Sequence, residues 1–126
     1  INVSIWSKFM FIAAYGLVTA AYNQTLGQVA GNNSLVSLAR CIMIEIFSIA
    51  NKLNINLPNN IVDNSILKAK QFPFETKTSL QRDVETKGKL NESDIFGGTI
   101  INYAKTLKIP VPNTIEVYSK LINNLG

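Results

Sequence analysis

The stretch that decides the fold is Asn2–Gln24, N-V-S-I-W-S-K-F-M-F-I-A-A-Y-G-L-V-T-A-A-Y-N-Q. It contains no Pro, and Ile5, Trp6, Phe9, Phe11, Ile12, Leu17 and Val18 place apolar side chains on nearly every side of a helix. A helix that is apolar all round is one that others pack around. Gly16 costs roughly 1 kcal/mol of helix propensity against Ala, and its retention predicts the close approach of another backbone. Lys8 is the single charge in the stretch. At about 100° per residue it shares a face with Ile12, Tyr15 and Thr19. The densely apolar part, Phe9 to Tyr22, is only about three-quarters of the roughly 20 residues a membrane span needs. Gln24, Gln28, Gly31, Asn32 and Asn33 follow it. The expectation is a core helix with no membrane partner. No basic segment leads the apolar run, so no secretory signal is expected.

Working outward, Gly31-Asn32-Asn33 is a turn, and Asn33 or Ser34 is placed to cap a second helix over Leu35–Leu53. Its stripe is Leu35, Leu38, Ile42, Ile46, Ile49 and Leu53, at spacings of three and four. Glu45 is the one acid inside C-I-M-I-E-I-F. Two readings of it stand: a solvated carboxylate at the edge of the stripe, or a buried and partnered one near a site. Pro58 suits the first turn of a third helix carrying Ile61, Val62, Ile66, Leu67 and Ala69 and ending before Phe72-Pro73. Asn91 or Glu92 opens a further helix to about Lys108, with Ile95, Phe96, Ile100, Tyr103, Ala104 and Leu107 towards the core. Ile109–Pro112 is extended. Asn113 followed by Glu116 predicts a capping box for a last helix over Thr114–Asn123, burying Ile115, Val117, Tyr118, Leu121 and Ile122. No segment has a period of two. The prediction is an all-α domain of five or six helices spanning residues 1–126.

Composition narrows the chemistry. The 126 residues include one cysteine, Cys41, and no histidine. Cys41 has no internal disulfide partner and reads as a small buried hydrophobe. Without histidine there is no Ser-His or Cys-His nucleophile pair and no expected metal site. Proton transfer falls to Lys, Tyr, Asp or Glu. The net charge of +4 is modest and not gathered into a basic stripe, so no nucleic-acid partner is expected. No Gly-rich phosphate cradle follows a strand. The chain starts at Ile1 rather than Met, and a piece of a longer product is expected.

The most polar stretch is Lys77–Gly98, K-T-S-L-Q-R-D-V-E-T-K-G-K-L-N-E-S-D-I-F-G-G. Thr78 or Ser79 is placed to cap a helix beginning near Leu80. The same hydroxyls and free N–H groups are placed to bind a ligand carboxylate, since a helix N-terminus favours an anion. Lys87-Gly88-Lys89 reads as that helix's end. Lys8 is either solvated or a proton donor tuned by burial and by a carboxylate: Glu92, Asp94 or Glu45.

Several of these motifs together resemble the C-terminal domain of the ketopantoate reductase (2-dehydropantoate 2-reductase) family. They are Ile5-Trp6-Ser7-Lys8 opening an apolar helix, Thr78–Asp83, Glu92-Ser93-Asp94 with Gly98 beyond, and Leu107-Lys108-Ile109-Pro110-Val111-Pro112. The resemblance covers essentially the whole chain. It implies the fold of the helical second domain of 6-phosphogluconate-dehydrogenase-like enzymes. It also implies an N-terminal Rossmann domain, absent from this chain, that binds NADPH, with a 2-keto acid lying between the domains. By position, Lys8 would protonate the ketone oxygen. Glu92 would orient Lys8 and hold a substrate hydroxyl, with Asn91 the alternative occupant of that position. Ser79, beside Thr78, would bind the substrate carboxylate. The implied reaction is ketopantoate to pantoate, towards pantothenate and coenzyme A, in the cytoplasm, with a homodimer among the implied partners. The chain alone would be inactive. Ile12 and Gly16 stand where the resemblance puts asparagines, and Leu26-Gly27 where it puts Asn-Gly. These departures imply a more apolar site and a different 2-keto acid. The rival expectation is a helical dimerisation or interaction module without catalysis.

Overall fold

A computed structural model of the chain describes residues 3–87 and 94–125, and among these residues no strand occurs. Seven α-helices follow in order: α1 (Val3–Tyr22), α2 (Leu26–Ala30), α3 (Asn33–Lys52), α4 (Ile61–Lys70), α5 (Ser79–Lys87), α6 (Thr99–Leu107) and α7 (Pro112–Leu125). A π-helical turn, Asp94–Gly98, leads into α6. The all-α class is as the sequence predicts, with more helices than the five or six expected.

The central helix is α1, which packs against α3, α5 and α7. Only its second half is enclosed. Met10 and every residue from Ala13 to Ala21 are buried, whereas Ile5 and Ile12 are exposed. The apolar surface of the first half is partly covered by aromatic edges: Trp6 meets Phe9 and Tyr103 edge-on, each at 5.6 Å between ring centroids. By length and composition α1 and α3 could each cross a membrane. Here α1 buries all of its second half and α3 one side, and Ile42, Met43, Ile46 and Ile49 of α3 share one buried cluster with α1 residues such as Leu17 and Val18.

Gly16 does not receive a backbone, contrary to the sequence expectation. A methyl added there would touch only the Leu80 side chain, at 3.5 Å, which is ordinary contact. The close backbone approach occurs at Gly27 instead. Its N–H donates to the Phe74 carbonyl at 3.0 Å, and any side chain there would collide with Phe74. This contact seats α2, a helix between the first predicted helix and the Gly31-Asn32-Asn33 turn. Its start is fixed by a reciprocal cap in which Thr25 Oγ1 accepts from Gln28 N–H and Gln28 Oε1 accepts from Thr25 N–H.

Helix α3 is capped one residue earlier than expected, by Asn32, whose Oδ1 accepts from the Leu35 N–H at 3.1 Å. Helix α6 ends where Lys108 adopts φ 59°, and the Ile109 N–H returns to the Ala104 carbonyl at 2.9 Å. Helix α7 starts at Pro112, where the missing N–H costs nothing. The predicted Asn113–Glu116 box does not cap it. Glu45 of α3 does, and the carboxylate is buried. Its Oε2 accepts from the Asn113 N–H and side-chain amide at 2.9 and 2.8 Å. Its Oε1 accepts from the Thr114 N–H and hydroxyl at 2.9 and 2.7 Å. An anion at a helix N-terminus is favoured by the free N–H groups and the helix dipole together. The partnered reading of Glu45 holds, but its partners are structural. On α7, Ile115 and Ile122 are exposed rather than buried, and so are Leu67 of α4 and one side of Tyr103. Cys41 is free and only half-buried.

Candidate active site

Lys8 lies in the second turn of α1, with its side chain exposed. Among the described residues it has no carboxylate partner; the ion pairs there are Arg40–Asp63 at 2.7 Å and Lys77–Glu85 at 2.8 Å. Lys8 lines an open cleft of about 390 Å³ between α1 and α4. From α1 the cleft takes Ser7, Lys8 and Phe11; from α4 it takes Asn64, Ser65 and Lys68.

Ser79 is the first residue of α5 and is exposed. Thr78 stands just before it as the cap, its Oγ1 accepting from the Gln81 N–H at 3.1 Å. That hydroxyl also meets Thr19 Oγ1 of α1 at 2.8 Å. Thr19 reaches back to its own helix, 2.6 Å from the Tyr15 carbonyl oxygen, as Thr does inside helices. With the Thr19 proton spent on that carbonyl, Thr78 must donate to Thr19. The Thr78 hydroxyl therefore has one acceptor and one donor bond inside the fold. Together with the Gly16–Leu80 contact, it pins the start of α5 to the second half of α1.

The structure places Lys8 and Ser79 along the same helix without bringing them into contact. At about 1.5 Å per residue, Lys8 lies about 12 Å along α1 from Gly16, where α5 begins. Ile12, exposed, lies on the helix between them. The cleft at Lys8 is lined by neither Thr78 nor Ser79. Glu92, and with it Asn91, lies outside the described residues, and so does the side chain of Asp94.

Tyr15, on the same face as Lys8 by sequence, is not part of this arrangement. Its ring is buried against Phe11, at 5.2 Å between centroids. Burial pushes its hydroxyl up to about 12, with the Arg40 charge pulling the other way. That oxygen is buried without a hydrogen-bond partner among the described residues.

Sequence reasoning missed the α4 side of the cleft. The positions Asn64, Ser65 and Lys68, spaced one and four along a helix, were a legible polar face. They were passed over in favour of the apolar residues between them.

The chain matches the family model described as "Ketopantoate reductase PanE/ApbA C terminal" over residues 1–124. It belongs to that family. The uncharacterized oxidoreductase YkpB of Bacillus subtilis is 27% identical over 121 residues, covering 96% of this chain and 40% of the relative. A 2-dehydropantoate 2-reductase of Pyrobaculum aerophilum is 25% identical over 125 residues, covering 94% of this chain and 44% of the relative. The chain thus spans less than half the length of these relatives. The fold is that of a dimeric ketopantoate reductase from Staphylococcus aureus, with a TM-score of 0.88 at 23% identity, over 100% of this chain and 45% of that one. It is also that of a D-mandelate dehydrogenase solved with NADH and anilino(oxo)acetate, with a TM-score of 0.86 at 16% identity, over 99% of this chain and 41% of that one. At these identities the structures establish the all-α fold of the ketopantoate reductase C-terminal domain. The family and its relatives are oxidoreductases.

Proposed function

We propose that this chain is the substrate domain of an NADPH-dependent reductase that converts a 2-keto acid to the 2-hydroxy acid. The observation that carries this reading is Lys8, a cation with no carboxylate partner among the described residues, held on a rigid helix at the mouth of a cleft. Membership of the ketopantoate reductase C-terminal family supports it.

The residues described here do not fit the nucleotide itself. Among them there is no strand and so no strand–glycine turn–helix cradle for a pyrophosphate. A nucleotide-binding domain elsewhere in the parent protein is part of the proposal, and the chain alone is inactive. Its own work is on the keto acid. Ser79 and the free N–H groups at the start of α5 bind the carboxylate. Thr78, committed to Thr19 and Gln81, holds Ser79 in place. Lys8 directs its ammonium at the ketone oxygen, stabilises the negative charge that develops there, and gives it a proton. Glu92 is assigned the task of orienting Lys8. The net change would be one proton from Lys8, restored from solvent, and one hydride that NADPH bound by the other domain would supply to the carbonyl carbon.

The test is consumption of NADPH by the full-length parent protein with a panel of 2-keto acids, ketopantoate among them. Turnover of at least one is expected. No turnover of any, in a protein that binds NADPH, would overturn the proposal. Tight NADPH binding by residues 1–126 alone would contradict the division of labour.

A further inference from the structure

The cleft beside Lys8 holds a second cation that the proposed chemistry does not use. Lys68 comes from the last turn of α4 and lines the same cavity of about 390 Å³. Its ammonium rests over the Phe11 ring, 4.9 Å from the centroid. Phe11 is itself stacked on Phe72, with centroids 6.0 Å apart and planes at 20°. A cation over an aromatic face is held in position while its N–H groups stay available.

Lys68 has no carboxylate partner among the described residues. The acid nearest to it in sequence on α4, Asp63, is committed elsewhere, 2.7 Å from Arg40. Position at a helix C-terminus would account for a solvated lysine. It accounts equally for Lys70, which does not line this cleft. The cleft therefore presents two ammonium groups, the hydroxyls of Ser4, Ser7 and Ser65 and the amide of Asn64, and none of its lining residues is acidic. Such a lining solvates oxyanions and leaves a cationic ligand without a counter-charge. Phe11 and the apolar wall beside it accept a short hydrocarbon stem.

We propose that Lys68 is a substrate-recognition residue and that this cleft selects 2-keto acids whose side chain ends in a carboxylate. The proposal rests on the reading of Lys8 as proton donor. Lys8 fixes the ketone at the mouth of the cleft. Ser79 lies to the other side along α1 and takes the carboxylate attached to that ketone. The remaining substituent then enters the cleft, with its far oxyanion at Lys68.

The experiment uses the full-length parent protein with NADPH. It compares 2-ketoglutarate, 2-ketopentanoate, which is the same chain without the second carboxylate, and ketopantoate. One charge-assisted hydrogen bond in a partly open cleft predicts a kcat/KM for 2-ketoglutarate roughly tenfold above that for 2-ketopentanoate. Lys68→Met lowers kcat/KM for 2-ketoglutarate roughly tenfold, through KM, and that for 2-ketopentanoate far less. Lys68→Arg keeps most of it. Equal loss on all three acids in Lys68→Met would place Lys68 at the shared carboxylate and overturn the proposal. So would the absence of any preference in the unaltered protein, while leaving the reductase reading intact. Failure to reduce all three overturns the proposal, and failure of the whole 2-keto-acid panel removes the reductase reading with it.

Discussion

Replacing Glu45 by Ala withdraws the carboxylate that accepts from the start of α7 across the fold. Thr114 is fully buried, so its N–H and hydroxyl, now bonded to Glu45 Oε1, have no water to turn to. Each buried donor left unmade costs about 1–3 kcal/mol. Asn113 is only half-buried, and its two donors recover most of their loss by hydration. Removal of the anion from the helix N-terminus adds about 0.3–1 kcal/mol. The expected destabilisation is about 4 kcal/mol, a large part of the roughly 5–15 kcal/mol that holds a domain together. In urea, at a slope near 2 kcal/mol per molar, the midpoint should fall by about 2 M. Glu45→Gln keeps one carbonyl acceptor for Thr114 and loses the charge, so it should cost about half as much. Circular dichroism through a urea titration of the two variants and the parent chain measures both. If Glu45→Ala lies within about 0.5 kcal/mol of the parent, or Gln costs as much as Ala, the capping account is wrong. Should the Ala variant not fold, the Gln variant alone carries the test.

Tyr15→Phe should raise stability by about 1 kcal/mol, because it removes a buried hydroxyl with no partner among the described residues. The same residue sets an alkaline limit. Its folded-state value is about 12 against about 10 when unfolded, so only the unfolded chain ionises between them. The stability Tyr15 contributes is whole below pH about 10 and is lost as pH rises towards about 12, a total of about 2–3 kcal/mol. Urea midpoints of parent and Tyr15→Phe chains, compared across that range, should diverge in this sense. Gly16→Ala should be neutral to stabilising by up to about 1 kcal/mol, since the added methyl gains helix propensity and meets only Leu80 at van der Waals distance; a loss in thermal unfolding would show that the contact is tighter than described. Gly97→Ala should cost about 2 kcal/mol or more, because the methyl would enter the Tyr118 ring, and a thermal midpoint unchanged from the parent would refute that packing.

The sequence made the long elements legible for a simple reason. In α3 and α4 the apolar residues recur at helical spacing, and α1 is apolar on nearly every side over a long run without Pro. The short α2 was missed although its Thr25-x-x-Gln28 signature is plain in hindsight. Five residues are too few for periodicity, and the contact that seats them comes from Phe74, far along the chain. The cap of α7 was misassigned for a similar reason. Asn113–Glu116 fits the local motif, but Glu45 outcompetes it from 68 residues away, a pairing that no local pattern encodes. At the candidate site, Lys8 and Ser79 were named from resemblance and from their chemistry. Their spacing along α1 needed the Gly16–Leu80 and Thr19–Thr78 contacts. Lys68 was hidden because its importance comes from the helix opposite, not from its neighbours in sequence.

The central claim is that Lys8 donates the proton to a bound keto acid. It is tested most directly by Lys8→Ala in the full-length parent protein, measuring kcat together with NADPH affinity. The account predicts a fall in kcat of roughly 10²–10⁴-fold with NADPH affinity unchanged. A kcat within a few-fold of the parent would contradict it.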